Sequence, residues 1–567
     1  MRARVLRRVT ETSSIGNSVL GISEKASPWS EARRPSYDII TVALIVAVAV
    51  TALWTFKDYA ISNDEGVQHR YGELIVAYYA SGFSDQSIFY FQNLYLYGGL
   101  FDIIAVALTY LIPIDPYDLR HILCALIGIG GICAAAATAR LIAGPRAGLI
   151  AAISLIGCGA WYGTMFNHTK DIPFAAAMMG ASLLLIRIAR QLPSPRAGDI
   201  AAFGLLMGIA LGMRVLGLLM LAYVGFAIAV YLPLAGPGDG PARWRFAIES
   251  VLRMLPALVS AYIIMILAWP WAALAPLNPI RGLLAFSEFR YDIRTVLAGR
   301  VYDMADVPRL YVPIYVLIRV PLLTLFGAAF AMLSALSPHR ATASTRLQRR
   351  DISLLSITAI FPLACQVTGH GPAFTGLRHF LFVVPPLAAL AGIGLDKALT
   401  ALAARGRRLV SGGLAFVTAC FLWNAATLVM LHPDEYLFYN AAVGGLAGAS
   451  RRYDLDYWFN SMPEAINKLE AYLRRSTPAD PNWQAQVYSV AVCGERLPFE
   501  KTVTLPQLRW DFMPTWEQSD FFIAPTQMNC DSDLDGKVVA TVERLGVVIA
   551  YVKDRRALTR SSAKIVP

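Results

Sequence analysis

The sequence predicts an all-α polytopic membrane bundle of about 11–12 transmembrane helices, followed by a small C-terminal α/β extracytoplasmic domain. Of the 567 residues, 56% are hydrophobic and only 16% are charged, whereas a soluble domain carries roughly 25% charged residues. Apolar runs follow one another as far as residue 431. Beyond that residue the chain becomes charged, and short β-branched runs accompany one amphipathic helix.

The apolar runs define the bundle. The first of them, "DIITVALIVAVAVTALWTF", is long enough to span and follows a basic segment, so we expect a signal anchor that is not cleaved. The runs lie at residues 38–57, 94–112, 120–139, 147–166, 172–189, 200–213, 215–234, 252–274, 309–336, 353–369, 377–395 and 409–431.

The distribution of arginine and lysine predicts the orientation of these runs. Residues 1–37 are basic and should lie in the cytoplasm. The later basic clusters share that side only if one run between residues 57 and 140 does not cross. We therefore interpret residues 58–118 as one external loop whose helices lie along the membrane surface, with 94–112 not crossing. The alternative is that 94–112 crosses and another run, such as 200–213, is re-entrant.

This topology divides the chain into three parts. Residues 1–37 form the cytoplasmic N-terminus, residues 38–431 the transmembrane domain, and residues 432–567 a periplasmic α/β domain. A second external loop covers residues 275–308. The predicted location is the inner membrane, with several crossings. The net charge of +11 comes from arginine and lysine residues in the connections between spans, where loop orientation explains them. We therefore reject a nucleic-acid partner and expect membrane lipids as the surroundings.

The cysteines give no sign of a metal site. Five lie in apolar runs and are interpreted as packing residues. Cys493 and Cys530 lie in the polar C-terminal part, where they could form a disulfide if that part is extracytoplasmic. No CxxC or HExxH pattern is present, so the sequence predicts no metal; a divalent cation is possible but has no supporting motif.

Charged side chains at the outer mouth of the bundle are the candidate functional residues. Carboxylates near a low-dielectric boundary can accept a proton from a hydroxyl, and neighbouring cations can hold a phosphate as it leaves. Each also has an ordinary interpretation, since Asp64 and Glu65 suit a helix dipole, Asp171 suits an N-cap, and Arg378 suits a headgroup anchor. The candidates are Asp64, Glu65, Lys170, Asp171, Arg214, Arg290, Arg294, Arg378 and His379.

Several segments in their order resemble the GT-C glycosyltransferases, in the branch that uses polyprenyl-phosphate sugars and includes protein O-mannosyltransferases and the lipid A aminoarabinose transferase. The resemblance covers residues 38 to about 460. The segments are "NDEG", "ARLIAGPRAGLIAA", "NHTKDIPFAAAMM", "LRHFLFVVPPLAALAG" and "DEYLFYNAAVGGLAGASRRYDLDYW". The first external loop departs from the lipid A branch, because "FYFQNLYLYGG" has neither Glu-Lys nor Pro-Pro. This departure puts a lipid A acceptor and a bound metal in doubt.

The resemblance implies the roles of the candidate residues. Asp64 would be the catalytic base, with Glu65 supporting it or binding sugar, and Asp171 would be the second acid of the cavity. Arg378, with Arg214 or Lys170, would face the lipid phosphate. Members of this branch typically need no divalent ion for catalysis.

The predicted function is therefore an inverting glycosyltransferase. It would move a sugar from a polyprenyl-phosphate carrier to a glycan, lipid or protein acceptor on the periplasmic side. A polytopic transporter or lipid flippase of envelope biogenesis is the main alternative, although such proteins place binding charges near the membrane midplane. A non-catalytic assembly partner is a third possibility.

Overall fold

The structure is a computed structural model that describes residues 34–232, 240–288, 290–336, 343–476 and 485–562. Most of the predicted cytoplasmic segment 1–37 lies outside the described residues. The first part of the chain contains α1 (Arg34–Thr55), α2 (Asn63–Ala80), α3 (Leu100–Thr109), α4 (Pro116–Ala143), α5 (Pro145–Ile156), α6 (Gly159–Tyr162), α7 (Asp171–Ala189), α8 (Ala197–Leu211), α9 (Leu219–Tyr231), α10 (Gly240–Ala268), α11 (Pro270–Leu274) and α12 (Asn278–Ser287). A hairpin of β1 (Arg294–Leu297) and β2 (Arg300–Asp303) follows, and then α13 (Tyr311–Arg319), α14 (Leu322–Leu336), α15 (Ala343–Gly369), α16 (Val384–Arg405) and α17 (Arg407–Leu431).

The long helices make this a multi-pass membrane protein. Among the described residues, seven helices are long and apolar enough to cross a membrane, or eight if the pair α13 and α14 is one span. With the shorter apolar helices α5, α8 and α9, they correspond to the eleven runs that the sequence predicts to cross. The run 309–336 is not the single straight helix that its composition suggests. It bends by 112° between α13 and α14, at a break that contains Pro321, which cannot continue a helix's hydrogen bonds.

Residues 58–118, which the sequence predicts to form an external loop, contain no helix among the candidate membrane spans. Helix α3 has ten residues and is about 15 Å long, roughly half the hydrocarbon thickness of a bilayer. The segment before it turns at Gly98, where an added Cβ would lie 2.1 Å from the carbonyl oxygen of Gly212. Leu100 N donates to that same oxygen at 3.1 Å. These contacts fix the segment on the end of α8; that residues 94–112 do not cross the membrane stays a prediction.

The basic clusters meet at one end of the bundle. Their arginines form ion pairs that join α4 to α1, α5 to α16, and α7 to both α8 and α15. The helix ends in these pairs therefore share one face, as the parity of the runs requires. That this face is cytoplasmic stays a prediction from the positive-inside rule. The pairs are Arg140–Asp38, Arg146–Asp396, Arg187–Asp199 and Arg190–Asp351.

The C-terminal part forms a small α/β unit on the opposite end. It contains α18 (Gly445–Ala449), α19 (Met462–Ser476), β3 (Tyr488–Val492), α20 (Arg496–Thr502), β4 (Leu508–Asp511), β5 (Phe521–Pro525), β6 (Lys537–Arg544), β7 (Val547–Asp554) and α21 (Arg556–Ser562). The sheet order is β4-β3-β5-β7-β6, in which β4, β3 and β5 are parallel and the last two pairings antiparallel. Cys493 after β3 and Cys530 after β5 form a disulfide. The bundle and the sheet contribute to one continuous hydrophobic core.

A histidine connects the start of the C-terminal part to the first span. His432 Nδ1 lies 2.8 Å from Glu435 Oε1, and its Nε2 lies 3.1 Å from Asp58 Oδ2. The hydrogen bond with Glu435, and then that with Asp58, raises the pKa of His432 to about 9. Tyr59 also donates to Glu435, at 2.9 Å. The loop after α1 and the segment after α17 are therefore held together by charge.

Candidate active site

Asp64 lies in the first turn of α2, at the end of the bundle that faces the C-terminal unit. The sequence Ser-Asn-Asp-Glu begins the helix with a capping box, because Glu65 Oε2 accepts from Ser62 N at 2.8 Å. This bond fixes the helix start and leaves the Asp64 side chain partly exposed, at 32%. Asp64 is therefore the carboxylate of the couplet that a substrate can reach.

Glu65 is buried behind Asp64. It is 0% exposed, and its Oε1 lies 3.1 Å from His121 Nε2. His121 belongs to α4, and its imidazole is likewise buried, at 2% exposure. The pairing favours a supporting role for Glu65 over direct sugar binding, because a fully buried carboxylate has no surface to offer a sugar.

Asp171 is the second acid of the cluster. It begins α7, but its side chain caps no backbone group there, so the N-cap interpretation is wrong. Its Oδ1 accepts a hydrogen bond from Arg214, and its Oδ2 accepts one from Arg378 Nε at 3.0 Å. Arg214 reaches this position because α8 ends before it, with Gly212 as the C-cap, and Arg214 itself has an extended backbone ahead of a 3-10 turn that leads into α9.

Arg378 joins the two acids. Its Nε binds Asp171 and its Nη2 donates to Asp64, although these carboxylates are 107 positions apart in the chain. The guanidinium lies between the two carboxylates, where a divalent cation bridging them would have to sit. This donor set therefore does not fit a bridging metal, because the carboxylate oxygens already bind a cation.

Two aromatic rings hold the guanidinium of Arg378. Its central carbon lies 5.2 Å from the ring centre of Tyr457 and 5.7 Å from that of Trp458. The backbone here is strained, since Asp456, Trp458 and Phe459 have positive φ angles of 72°, 43° and 59°. Sequence reasoning missed this clamp, although "DLDYW" was among the segments that carried the family resemblance.

Lys170 adds a free positive charge beside the pair of acids. It is 5% exposed, and its Nζ lies 4.7 Å from the ring centre of Tyr97 and 5.7 Å from that of Tyr71. Within the described part of the chain it makes no ion pair. Burial lowers the pKa of Lys170 to about 8, although Asp102 partly opposes this. The ammonium is therefore mostly charged at neutral pH and available to an anion.

An apolar cavity of about 300 Å³ opens beside these charges. Arg214 and His379 stand at its polar end. The rest of its wall comes from α9, α12, α15 and the segment before α16, and it includes Val215, Leu219, Phe286, Phe374, Phe380 and Phe382. The arrangement suits a molecule with an anionic head and a hydrocarbon tail.

Two predicted site residues lie elsewhere. Arg294, on β1, binds Asp533 of the C-terminal unit at 2.7 Å, so it is not part of the charged cluster. Arg290 is exposed and has no ion-pair partner among the described residues. The structure thus brings together Asp64, Lys170, Asp171, Arg214, Arg378 and His379, with Glu65 directly behind them.

No protein-family model matches the chain. No curated protein sequence matches it either. Among solved structures, ArnT from Cupriavidus metallidurans bound to undecaprenyl phosphate is 16% identical, covering 91% of this chain and 98% of that one, with a TM-score of 0.46. The oligosaccharyltransferase of Archaeoglobus fulgidus in its apo form is 13% identical over 87% of this chain and 66% of that one, with a TM-score of 0.43. Arabinofuranosyltransferase AftD from Mycobacteria is 12% identical over 90% of this chain and 41% of that one, with a TM-score of 0.38.

Proposed function

We propose that this protein is an inverting glycosyltransferase that moves one sugar from a polyprenyl-phosphate carrier to an acceptor hydroxyl at the periplasmic face of the inner membrane. The observation that carries the proposal is the bridge of Arg378 between Asp64 and Asp171, beside an apolar cavity. A carboxylate base, a phosphate-binding arginine and a place for a lipid tail meet at one mouth of the bundle.

The proposed reaction uses these groups in one displacement. The Asp64 carboxylate takes the proton of the acceptor hydroxyl, whose oxygen attacks the anomeric carbon. The bond from that carbon to the phosphate oxygen breaks, and the polyprenyl phosphate leaves with the electron pair. Arg214, Arg378 and Lys170 stabilise the negative charge that grows on the phosphate.

Binding of the sugar donor also frees the carboxylate of Asp64. In the structure Arg378 donates a hydrogen bond to Asp64. A phosphate placed between Arg214, Lys170 and Arg378 competes with Asp64 for the guanidinium. Asp64 is then released to accept a hydrogen bond from the acceptor hydroxyl.

The positions of the acids and of the arginine clusters support a site on the periplasmic face. The acids stand at the first turns of α2 and α7, whereas the arginine clusters meet at the other end of the bundle. By the positive-inside rule the acids then face away from the cytoplasm. A transporter or flippase is less well supported, because its binding charges would be expected near the middle of the spans.

The test is a comparison of envelope glycans and lipids by mass spectrometry between a strain lacking the gene and the same strain carrying variants. Asp64→Asn, Asp171→Asn and Arg378→Ala should all fail to restore the missing product. Glu73→Gln is the matched control, because Glu73 lies on the same helix, is partly exposed and pairs only with Arg70 and His69 of that helix. Wild-type product from Asp64→Asn would refute the role of the base. Identical profiles with and without the gene would refute the proposed function.

A further inference from the structure

A loop of the C-terminal unit lies directly against the helix turn that carries Asp64. This loop, residues 493–495, connects β3 to α20. Glu495 N donates to Asn63 Oδ1 at 3.1 Å. On the other side of Asp64, a Cβ added to Gly66 would lie 2.7 Å from Leu497 Cδ2. The two contacts flank Asp64 along α2, so the loop and the first turn of α20 form one wall of the space in front of its carboxylate.

The topology of the sheet places a crevice at this point. The chain leaves β3 to form β4 on one side and returns as β5 on the other. Ligands of open parallel sheets bind outside the carboxyl ends of strands where the order reverses in this way. Here the carboxyl end of β3 meets the active-site helix, and the Cys493–Cys530 disulfide joins the two loops that border the crevice.

The backbone of the loop is built for this close approach. A Cβ added to Gly494 would lie 2.3 Å from the terminal methyl of Met462 and 3.3 Å from Asn63 Oδ1. Only glycine fits there without displacing its neighbours. The position of the following residue, Glu495, is therefore set by packing on both α2 and α19.

Glu495 itself has no partner. Its side chain is exposed and makes no hydrogen bond or ion pair within the described residues, whereas Glu500, one turn later, binds Arg496 at 2.7 Å. Although the residue is exposed, desolvation of its carboxyl group by the surrounding atoms, and then the negative charge of Asp64, raises the pKa of Glu495. An unpaired carboxylate held beside another one is unfavourable unless a ligand with hydrogen-bond donors lies between them.

We infer that Glu495 is an acceptor-binding residue supplied by the C-terminal domain, and that the acceptor is a hydroxyl-rich molecule of the glycan class. Glu495 accepts a hydrogen bond from a second hydroxyl of the acceptor while Asp64 takes the proton of the reacting one. We assign Glu495 to the acceptor and not to the lipid donor because the loop contacts the helix turn that carries Asp64. The apolar cavity, which suits the lipid tail of the donor, is lined by Arg214 and His379 instead. This inference rests on the proposed function and adds a substrate class to it.

The experiment separates acceptor binding from donor binding. Glu495→Ala, Glu495→Gln and the control Glu500→Gln are produced in the strain lacking the gene, and product is measured by mass spectrometry. The purified variants are titrated with undecaprenyl phosphate, and their melting temperatures are compared. Losing a hydrogen bond to a charged group should lower product at least about tenfold in Glu495→Ala. Glu495→Gln should lie between this variant and the wild type, because its amide oxygen still accepts.

Undecaprenyl phosphate should bind both Glu495 variants within about twofold of the wild type, and Glu500→Gln should match the wild type throughout. Wild-type product from Glu495→Ala would overturn the inference, as would a loss of undecaprenyl phosphate binding equal to that of Arg378→Ala. If Glu495→Ala melts at a clearly lower temperature, the amounts of product from Glu495→Gln and Glu500→Gln are compared instead. Equal amounts of product from these two variants would then overturn the inference. Failure of the inference alone leaves Asp64→Asn inactive, whereas failure of the proposed function leaves every variant without effect.

Discussion

Replacing Asp64 with asparagine should abolish transfer and at the same time strengthen the binding of undecaprenyl phosphate. The reason is the competition for Arg378, whose Nη2 donates to Asp64 in the structure. Asparagine has nearly the same shape but no charge, so a phosphate no longer has to displace an ion pair. Asp171 stays bound to Arg214 and to Arg378 Nε, which keeps the guanidinium in place.

The size of the effect follows from the exposure of the pair. A hydrogen bond between charged groups contributes roughly 1.5–3 kcal/mol. Asp64 is 32% exposed, so solvent screening reduces this figure, and we expect about 1 kcal/mol. An energy of about 1 kcal/mol corresponds to roughly fivefold tighter binding.

The assay is a titration of the purified protein in detergent with undecaprenyl phosphate, followed by native mass spectrometry. Glu73→Gln removes a carboxylate from the exposed face of the same helix and should leave the dissociation constant unchanged. The difference between Asp64→Asn and the wild type should shrink as salt is added, because screening weakens the ion pair. Weaker binding by Asp64→Asn would refute the competition and would indicate that Asp64 holds Arg378 in its phosphate-binding position.

Three further predictions concern separate parts of the molecule. Binding of undecaprenyl phosphate should weaken as pH rises through about 8, the value to which burial lowers the pKa of Lys170, and Lys170→Met should remove this dependence in the same titration. The hydrogen bond with Glu435 raises the pKa of His432 to about 9. Protonated His432 therefore stabilises the folded protein fully below the unfolded pKa of about 6.5, and this stabilisation is lost as the pH rises to 9. The difference in melting temperature between the wild type and His432→Asn should shrink across that range. Gly98→Ala should lower the melting temperature strongly, because its Cβ would meet a carbonyl oxygen at 2.1 Å, whereas Gly130→Ala, which meets nothing within 4 Å on α4, should be neutral or slightly stabilising.

The sequence by itself determined the membrane architecture and most of the candidate site. Long apolar runs can form little except spanning helices, because a bilayer offers no partner for free backbone groups. The parity of the arginine clusters predicts that 94–112 does not cross, and the helix found there, α3, has ten residues. Charges beside such runs are rare enough that Asp64, Asp171, Arg214 and Arg378 stood out without any knowledge of their neighbours.

Only the tertiary structure decided how these charges divide their work. Asp64 and Glu65 are adjacent in sequence, but Asp64 is partly exposed and binds Arg378 whereas Glu65 is buried against His121, because a helix turn points successive side chains in different directions. Arg294 looked equivalent to Arg378, yet the hairpin carries it to Asp533 on the C-terminal unit. Contacts between residues hundreds of positions apart, such as Asn63 with Glu495, depend on how whole elements pack, and no local pattern in the chain encodes that distance.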